Sequence, residues 1–183
     1  MRSRTCVSDT ASSSPSGIIE AADKKALIAK LKARLTPDTL AKADLAAGRV
    51  TFSTVCAACH RLYGQGADLG PDLTGAGRDN LDYLLENIAD PSAVVNADFR
   101  MTIVEMKDGR LLAGVVPAQT ARTVTIRALT GSTTVERSEI KEMVQPAVSM
   151  MPEGLFEALS ETQVRDLIGY LMQRTQVPLP EGK

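Results

Sequence analysis

Apolar positions along this chain change their period twice. From Ile18 to Leu35 they recur every four residues, at Leu27, Leu31 and Leu35, which predicts an amphipathic helix. Its polar face is crowded by Lys24, Lys25, Lys30, Lys32 and Arg34, as in a solvated helix. Thr36-Pro37 restarts the chain, with Thr36 as N-cap and Pro37 in the first helical position. Asp44 to about Val55 predicts a further helix, in which Gly48 and Phe52 share a face. A glycine inside a helix costs about 1 kcal/mol against alanine, so Gly48 points to the close approach of another helix. After a loop rich in glycine (Gly64, Gly66, Gly70, Gly75 and Gly77, with Pro71 among them), Asp79 is placed to cap a helix. Leu81, Leu84, Leu85 and Ile88 follow the i, i+3, i+4, i+7 pattern, and Pro91 ends it.

From Phe99 to about Ile140 the period falls to two. Val104 and Met106 alternate with Ile103, Glu105 and Lys107, and Asp108-Gly109 is a hairpin signal. Leu111 to Val116 returns, Thr123 to Ala128 alternates cleanly, Thr130-Gly131 turns, and Thr133 to Arg137 completes a four-stranded antiparallel meander. The helical period then resumes. Ser160 and Gln163 form a capping box ahead of the stripe Val164, Leu167, Ile168 and Leu171. The pattern describes a mainly α chain with an inserted β unit, an α+β class. It divides into a disordered tail or linker over residues 1–17, a helical extension over 18–43, and one domain over 44–183 with its insertion at about 99–140.

Composition narrows the classes. A net charge of −1 with 23% charged residues gives no electrostatic case for nucleic acid. No run approaches the roughly 18 apolar residues of a membrane span. Aromatics are 3% of the chain and Trp is absent, so the core lacks large flat apolar bodies of its own. The three cysteines are an odd number: Cys6 sits in the polar tail as an incidental thiol, with no apolar stretch before it to mark a lipid anchor.

The other two cysteines carry the chemistry. Cys56-Ala57-Ala58-Cys59-His60 is the attachment sequence of a c-type haem, in which both thiols add to the vinyl groups and the adjacent imidazole takes the iron. His60 is the only histidine in the chain. A thioredoxin-like pair wants a βαβ unit, and none precedes the motif; a zinc site needs four ligands, and beyond Cys56, Cys59 and His60 only the remote Cys6 or a carboxylate is available. With no second imidazole, methionine is the candidate for the sixth position. Met150 and Met151 stand in a loop, and Pro152 biases the residue before it to an extended conformation, which favours Met151 and leaves Met150 as the alternative. A ligating histidine usually gives its other N–H to a carbonyl or carboxylate, and the Pro71 carbonyl is a candidate acceptor. Arg61, Tyr63 and Arg78 are candidates to meet the haem propionates.

These residues resemble a known family. Asp44 to Gly48 with Phe52, Cys56 to His60, Gly70-Pro71-Asp72-Leu73-Thr74-Gly75, Leu84 to Ile88, Pro91-Ser92, Asp108-Gly109-Arg110 with Gly114, Ser149 to Leu155, and Arg165 to Leu171 together resemble the c-type cytochrome domain of planctomycete and verrucomicrobial proteins. That resemblance implies a class I cytochrome c-like helical fold interrupted by the β unit, with one covalent haem c per chain. It puts Cys56 and Cys59 on the haem, His60 and Met151 on the iron, and the Pro71 carbonyl on the histidine. Gly48 and Phe52 then meet the C-terminal helix near Tyr170.

The expected function is one-electron transfer by a monohaem carrier rather than catalysis in its own right. A redox partner protein follows, such as an exported dehydrogenase or a terminal oxidase. Covalent haem attachment implies a periplasmic or otherwise exported location, although no export signal is visible in the chain. Two other readings are a haem-based sensor or peroxidase-like protein with a labile sixth ligand, and an interaction module docking through the β insertion.

Overall fold

The computed structural model describes residues 21–180; the tail over residues 1–17, with Cys6, lies outside them. The helices are α1 (Ala21–Arg34), α2 (Pro37–Leu40), α3 (Leu45–Val55), α4 (Leu81–Ala89) and α5 (Glu161–Leu171). Their starts follow from side-chain oxygens that satisfy orphan N–H groups. Thr36 accepts from the Thr39 N–H at 3.2 Å, and Asp44 from the Ala47 N–H at 2.9 Å. The α4 cap is Asn80, accepting from the Tyr83 N–H at 3.2 Å, one residue later than the Asp79 expected from sequence. The Ser160–Gln163 capping box forms as anticipated.

The helical core is built on the crossing of α3 and α5. A Cβ at Gly48 would lie 2.0 Å from the Asp166 carbonyl oxygen and 2.8 Å from the Tyr170 Cβ, so only glycine permits this contact. One turn on, the Phe52 and Tyr170 rings meet at 5.8 Å between centroids, tilted by 55°. Burial of Asp166 is compensated by the Asp44 N–H, which donates to its carboxylate at 3.0 Å, and by the neighbouring Arg165 guanidinium. The first helix packs on α4 and sends Leu31 into the same core, joined by Leu35 just past its end. Its polar face is solvated as the lysine pattern suggests, with Lys25, Lys30, Lys32 and Arg34 exposed and Lys32 and Arg34 in surface pairs with Asp82 and Glu161; Lys24 alone of the five is buried.

The inserted unit corrects the sequence reading in one respect. It has five strands, not four: β1 (Thr102–Met106), β2 (Leu111–Gln119), β3 (Thr123–Ala128), β4 (Gly131–Glu136) and β5 (Ile140–Val144), ordered β4-β3-β2-β1-β5 and all antiparallel. The fifth strand lacks a two-residue period because it is an edge strand on which four of five residues are exposed.

A 3₁₀ turn of three residues, Arg137–Glu139, joins the two edge strands. In a flat sheet those edges would stand about 19 Å apart, four strand spacings. A three-residue 3₁₀ turn advances only about 6 Å. The sheet is therefore rolled into a small half-open barrel, with β2 bulging between Val115 and Ala118, where Pro117 has no N–H to give the ladder. The barrel encloses its own core of Val104, Met106, Val124, Ile126 and Val135, separate from the helical one.

Candidate haem site

The Cys56–His60 segment is a direct extension of α3. Cys56 is its C-cap, with its N–H on the Phe52 carbonyl. The Cys59 and His60 N–H groups then both donate to the Cys56 carbonyl, at 3.0 and 2.9 Å, closing a tight turn that holds both thiols and the imidazole within one helical pitch. Both cysteines are free thiols and half-buried. Burial pushes the Cys56 thiol up to about 12, with the neighbouring Cys59 adding to it, and burial also raises Cys59.

The glycine-rich loop lies along this turn and is stitched to it. The Ala67 N–H donates to the Ala57 carbonyl at 2.9 Å, the Gly70 N–H to the Cys59 carbonyl at 2.7 Å, and the Leu73 N–H to the Arg61 carbonyl at 2.8 Å. Two glycines make that approach possible. At Gly66, with φ of +103°, a Cβ would meet the His60 carbonyl at 2.1 Å; at Gly70 it would stand 2.7 Å from the imidazole Cε1. The Asp72 carboxylate accepts from the Thr74 N–H at 2.7 Å, an Asx turn that fixes the chain just past Pro71. Bonds from Thr74, reinforced by Arg61 and Arg78, hold that carboxyl below its usual range.

The outcome of this stitching is the placement of one carbonyl. His60 Nδ1 and the Pro71 carbonyl oxygen are 2.9 Å apart. A carbonyl can only accept, so Nδ1 is the donor, and in the neutral ring this tautomer leaves the lone pair on Nε2. Among the described residues no three His, Cys, Asp or Glu side chains converge on a common position for a metal ion. A zinc knuckle is thus not what Cys56, Cys59 and His60 form. Paired thiols beside an imidazole whose Nδ1 is engaged by a carbonyl, packed on a glycine, instead fit the donor set of a covalently attached haem.

Met151 sits in the loop between β5 and α5, half-buried, with its N–H donating to the Ser149 hydroxyl at 3.1 Å. Neither it nor the equally half-buried Met150 belongs to the apolar side chains packed on either core, whereas Met106 fills the barrel and Met172 packs on the helical core. The loop is pinned at Glu153, which pairs with Lys24 at 2.6 Å, while Lys24 also holds Asp90 at 2.8 Å.

Of the residues named for the propionates, Arg78 is otherwise engaged. Its guanidinium is buried and donates to the carbonyls of Leu73, Thr74, Leu171 and Gln173 and to the Tyr63 hydroxyl, and it stacks 5.1 Å over the Tyr63 ring. It caps the C-terminal end of α5 instead. No sequence pattern signals this role, because the acceptors are backbone groups from distant segments.

Residues 45–109 match the family model described as Cytochrome c. The match supports a c-type cytochrome with covalently attached haem c and a haem-binding electron-transfer role. It covers α3, the Cys-x-x-Cys-His turn, the glycine-rich loop and α4, and ends at the first hairpin of the barrel. No curated protein matches the chain. No helix among the described residues is long and apolar enough to cross a membrane.

Proposed function

We infer that this chain is a monohaem electron carrier whose iron is ligated by His60 and Met151. When bound, the haem supplies reversible one-electron exchange between ferric and ferrous iron. Cys56 and Cys59 hold its edge through thioether links, and His60 presents Nε2 to the metal. The Pro71 carbonyl fixes the imidazole's tautomer and plane and raises its basicity. Met151 would supply the second protein ligand, and its neutral thioether would favour the ferrous state. The observation that carries this reading is the 2.9 Å contact between His60 Nδ1 and the Pro71 carbonyl oxygen, which leaves Nε2 free beside two thiols.

The β insertion and the Met-Pro loop support the planctomycete and verrucomicrobial type of the domain. An exported setting follows from where such haem is attached, and an exported dehydrogenase is the proposed donor. In this reading the protein acts as an electron carrier, alone or as a domain of a larger oxidoreductase.

The test is the visible spectrum of protein made with haem-attachment machinery. Sharp α and β bands on reduction and a weak far-red charge-transfer band on oxidation are expected, the latter lost in Met151→Ala and kept in Met150→Ala. Retention of that band in Met151→Ala overturns the assignment of the sixth ligand. Rapid binding of carbon monoxide or cyanide by the untreated protein would favour a sensor or peroxidase-like role instead.

A further inference from the structure

Two of the contacts between the inserted barrel and the rest of the chain lie next to the two proposed ligand loops. The first contact is made by Arg127. It sits on β3, flanked by β2 and β4, with Val115 and Ser132 as its cross-strand partners. Its backbone is further confined by Gly114, where a Cβ would come within 2.2 Å of the Arg127 carbonyl oxygen. From this fixed base the side chain leaves the barrel and reaches Asp68. Nη1 pairs with the carboxylate at 2.8 Å and donates to the Asp68 backbone carbonyl at 3.2 Å. Asp68 lies between Ala67 and Gly70, whose N–H groups bind the carbonyls of the Cys-x-x-Cys-His turn, and three residues before Pro71. The strand thus grips the loop that aims the imidazole.

The second contact is the barrel's stem. Arg100, just before β1, bridges Ser149, which follows β5, and the Met101 N–H donates to the Val148 carbonyl at 3.4 Å. Ser149 is held from the helical side as well, its N–H donating to the Ser92 hydroxyl at 3.1 Å, and its own hydroxyl accepts from the Met151 N–H at 3.1 Å. The stem therefore anchors the methionine loop as Arg127 anchors the histidine loop.

We propose that the β insertion is a clamp spanning both axial-ligand loops, and that Arg127 is a positioning residue acting on His60 through Asp68 and Pro71. This rests on the reading of His60 and Met151 as the ligands. It gives the insertion a task within the haem site itself: whatever deforms the barrel changes the set of both ligands together. The Arg127–Asp68 pair is partly exposed, with side-chain exposures of 32% and 60%, so its grip weakens as salt rises.

The test is a double-mutant cycle on the haem-loaded protein, with Arg127→Ala, Asp68→Ala and the double variant, and with Arg127→Lys as the conservative control. Two quantities are read: amide hydrogen exchange at Ala67, Gly70 and Leu73, and the midpoint potential at low and high salt. Each single variant is expected to speed exchange at these amides about two- to fivefold, the range of an exposed ion pair. The double variant should add nothing beyond Arg127→Ala, because Asp68→Ala leaves the bond to the backbone carbonyl at position 68 in place, and Arg127→Lys should retain part of the protection. The wild-type potential should move with salt towards that of Arg127→Ala, which itself stays flat. Unchanged exchange in the single variants, or effects that sum in the double, overturns the clamp. The exchange readout is independent of the sixth ligand: if Met151→Ala keeps the far-red band, the ligand assignment falls, while protected amides released by Arg127→Ala still establish the grip on the histidine loop.

Discussion

The His60 imidazole rests against Gly70 and donates its Nδ1–H to the Pro71 carbonyl, so two adjacent residues fix both the position and the tautomer of the ring. They do so by different means, and substitution separates them. Gly70→Ala places a methyl 2.7 Å from Cε1, which the ring can avoid only by turning away from the Pro71 carbonyl. Loss of an orienting partner behind a metal-bound histidine costs about 10- to 100-fold in metal affinity. Gly70→Ala protein should therefore show a depleted or altered haem spectrum after co-expression with attachment machinery. Pro71→Ala keeps the carbonyl and should keep the spectrum, with a stability loss of about 0.4–1 kcal/mol from the freer unfolded chain.

Gly48 makes a parallel demand on the fold rather than on the site. Alanine there collides with the Asp166 backbone, not with a side chain that can swing aside. The α3–α5 crossing must open, and with it the Phe52–Tyr170 contact. Overpacking of this kind costs about 3 kcal/mol. Urea unfolding followed by far-UV circular dichroism should show Gly48→Ala shifted accordingly, and a shift below about 1 kcal/mol would mean that the crossing is looser than described.

Gly48 and Phe52 also show what was legible beforehand. A costly glycine inside a helical stripe announces a close helix partner, and the Cys-x-x-Cys-His run announces its own chemistry. Both are local signals. The fifth strand was not legible, because Ile140–Val144 pairs only along one edge and need not alternate. Nor was the true place of Arg78, since its acceptors are carbonyls brought together by folding. The grip of Arg127 on Asp68 joins residues 59 positions apart and leaves no periodic trace.

Arg78 yields a third prediction. Its N–H groups satisfy the carbonyls of Leu171 and Gln173 at the end of α5, together with those of Leu73 and Thr74. In Arg78→Met these acceptors are stranded, and a stranded buried acceptor costs about 1–3 kcal/mol. Arg78→Lys restores the charge but not the planar fork that serves several acceptors at once. Unfolding midpoints should therefore fall in the order wild type, Arg78→Lys, Arg78→Met. Equal midpoints for all three would remove the capping role.

Lys24 ties the methionine loop to the helices, and its chemistry sets a pH limit. Its buried ammonium joins Asp90 at the end of α4 to Glu153, two residues past Met151. Hydrogen bonds to Asp90 and then to Glu153 outweigh desolvation and raise its pKa above the ordinary 10.5. Because the folded state binds this proton more tightly, the stabilisation is fully present below pH 10.5 and is lost as pH rises through the higher folded value. Alkaline titration of the haem-loaded protein should therefore weaken the far-red band above that pH, as the freed loop withdraws Met151. Lys24→Met removes both ion pairs at once and should lose about 1–3 kcal/mol at neutral pH. Its residual stability should then lack the wild type's decline above pH 10.5. A variant that declines as steeply as the wild type would show that some other group governs the alkaline release.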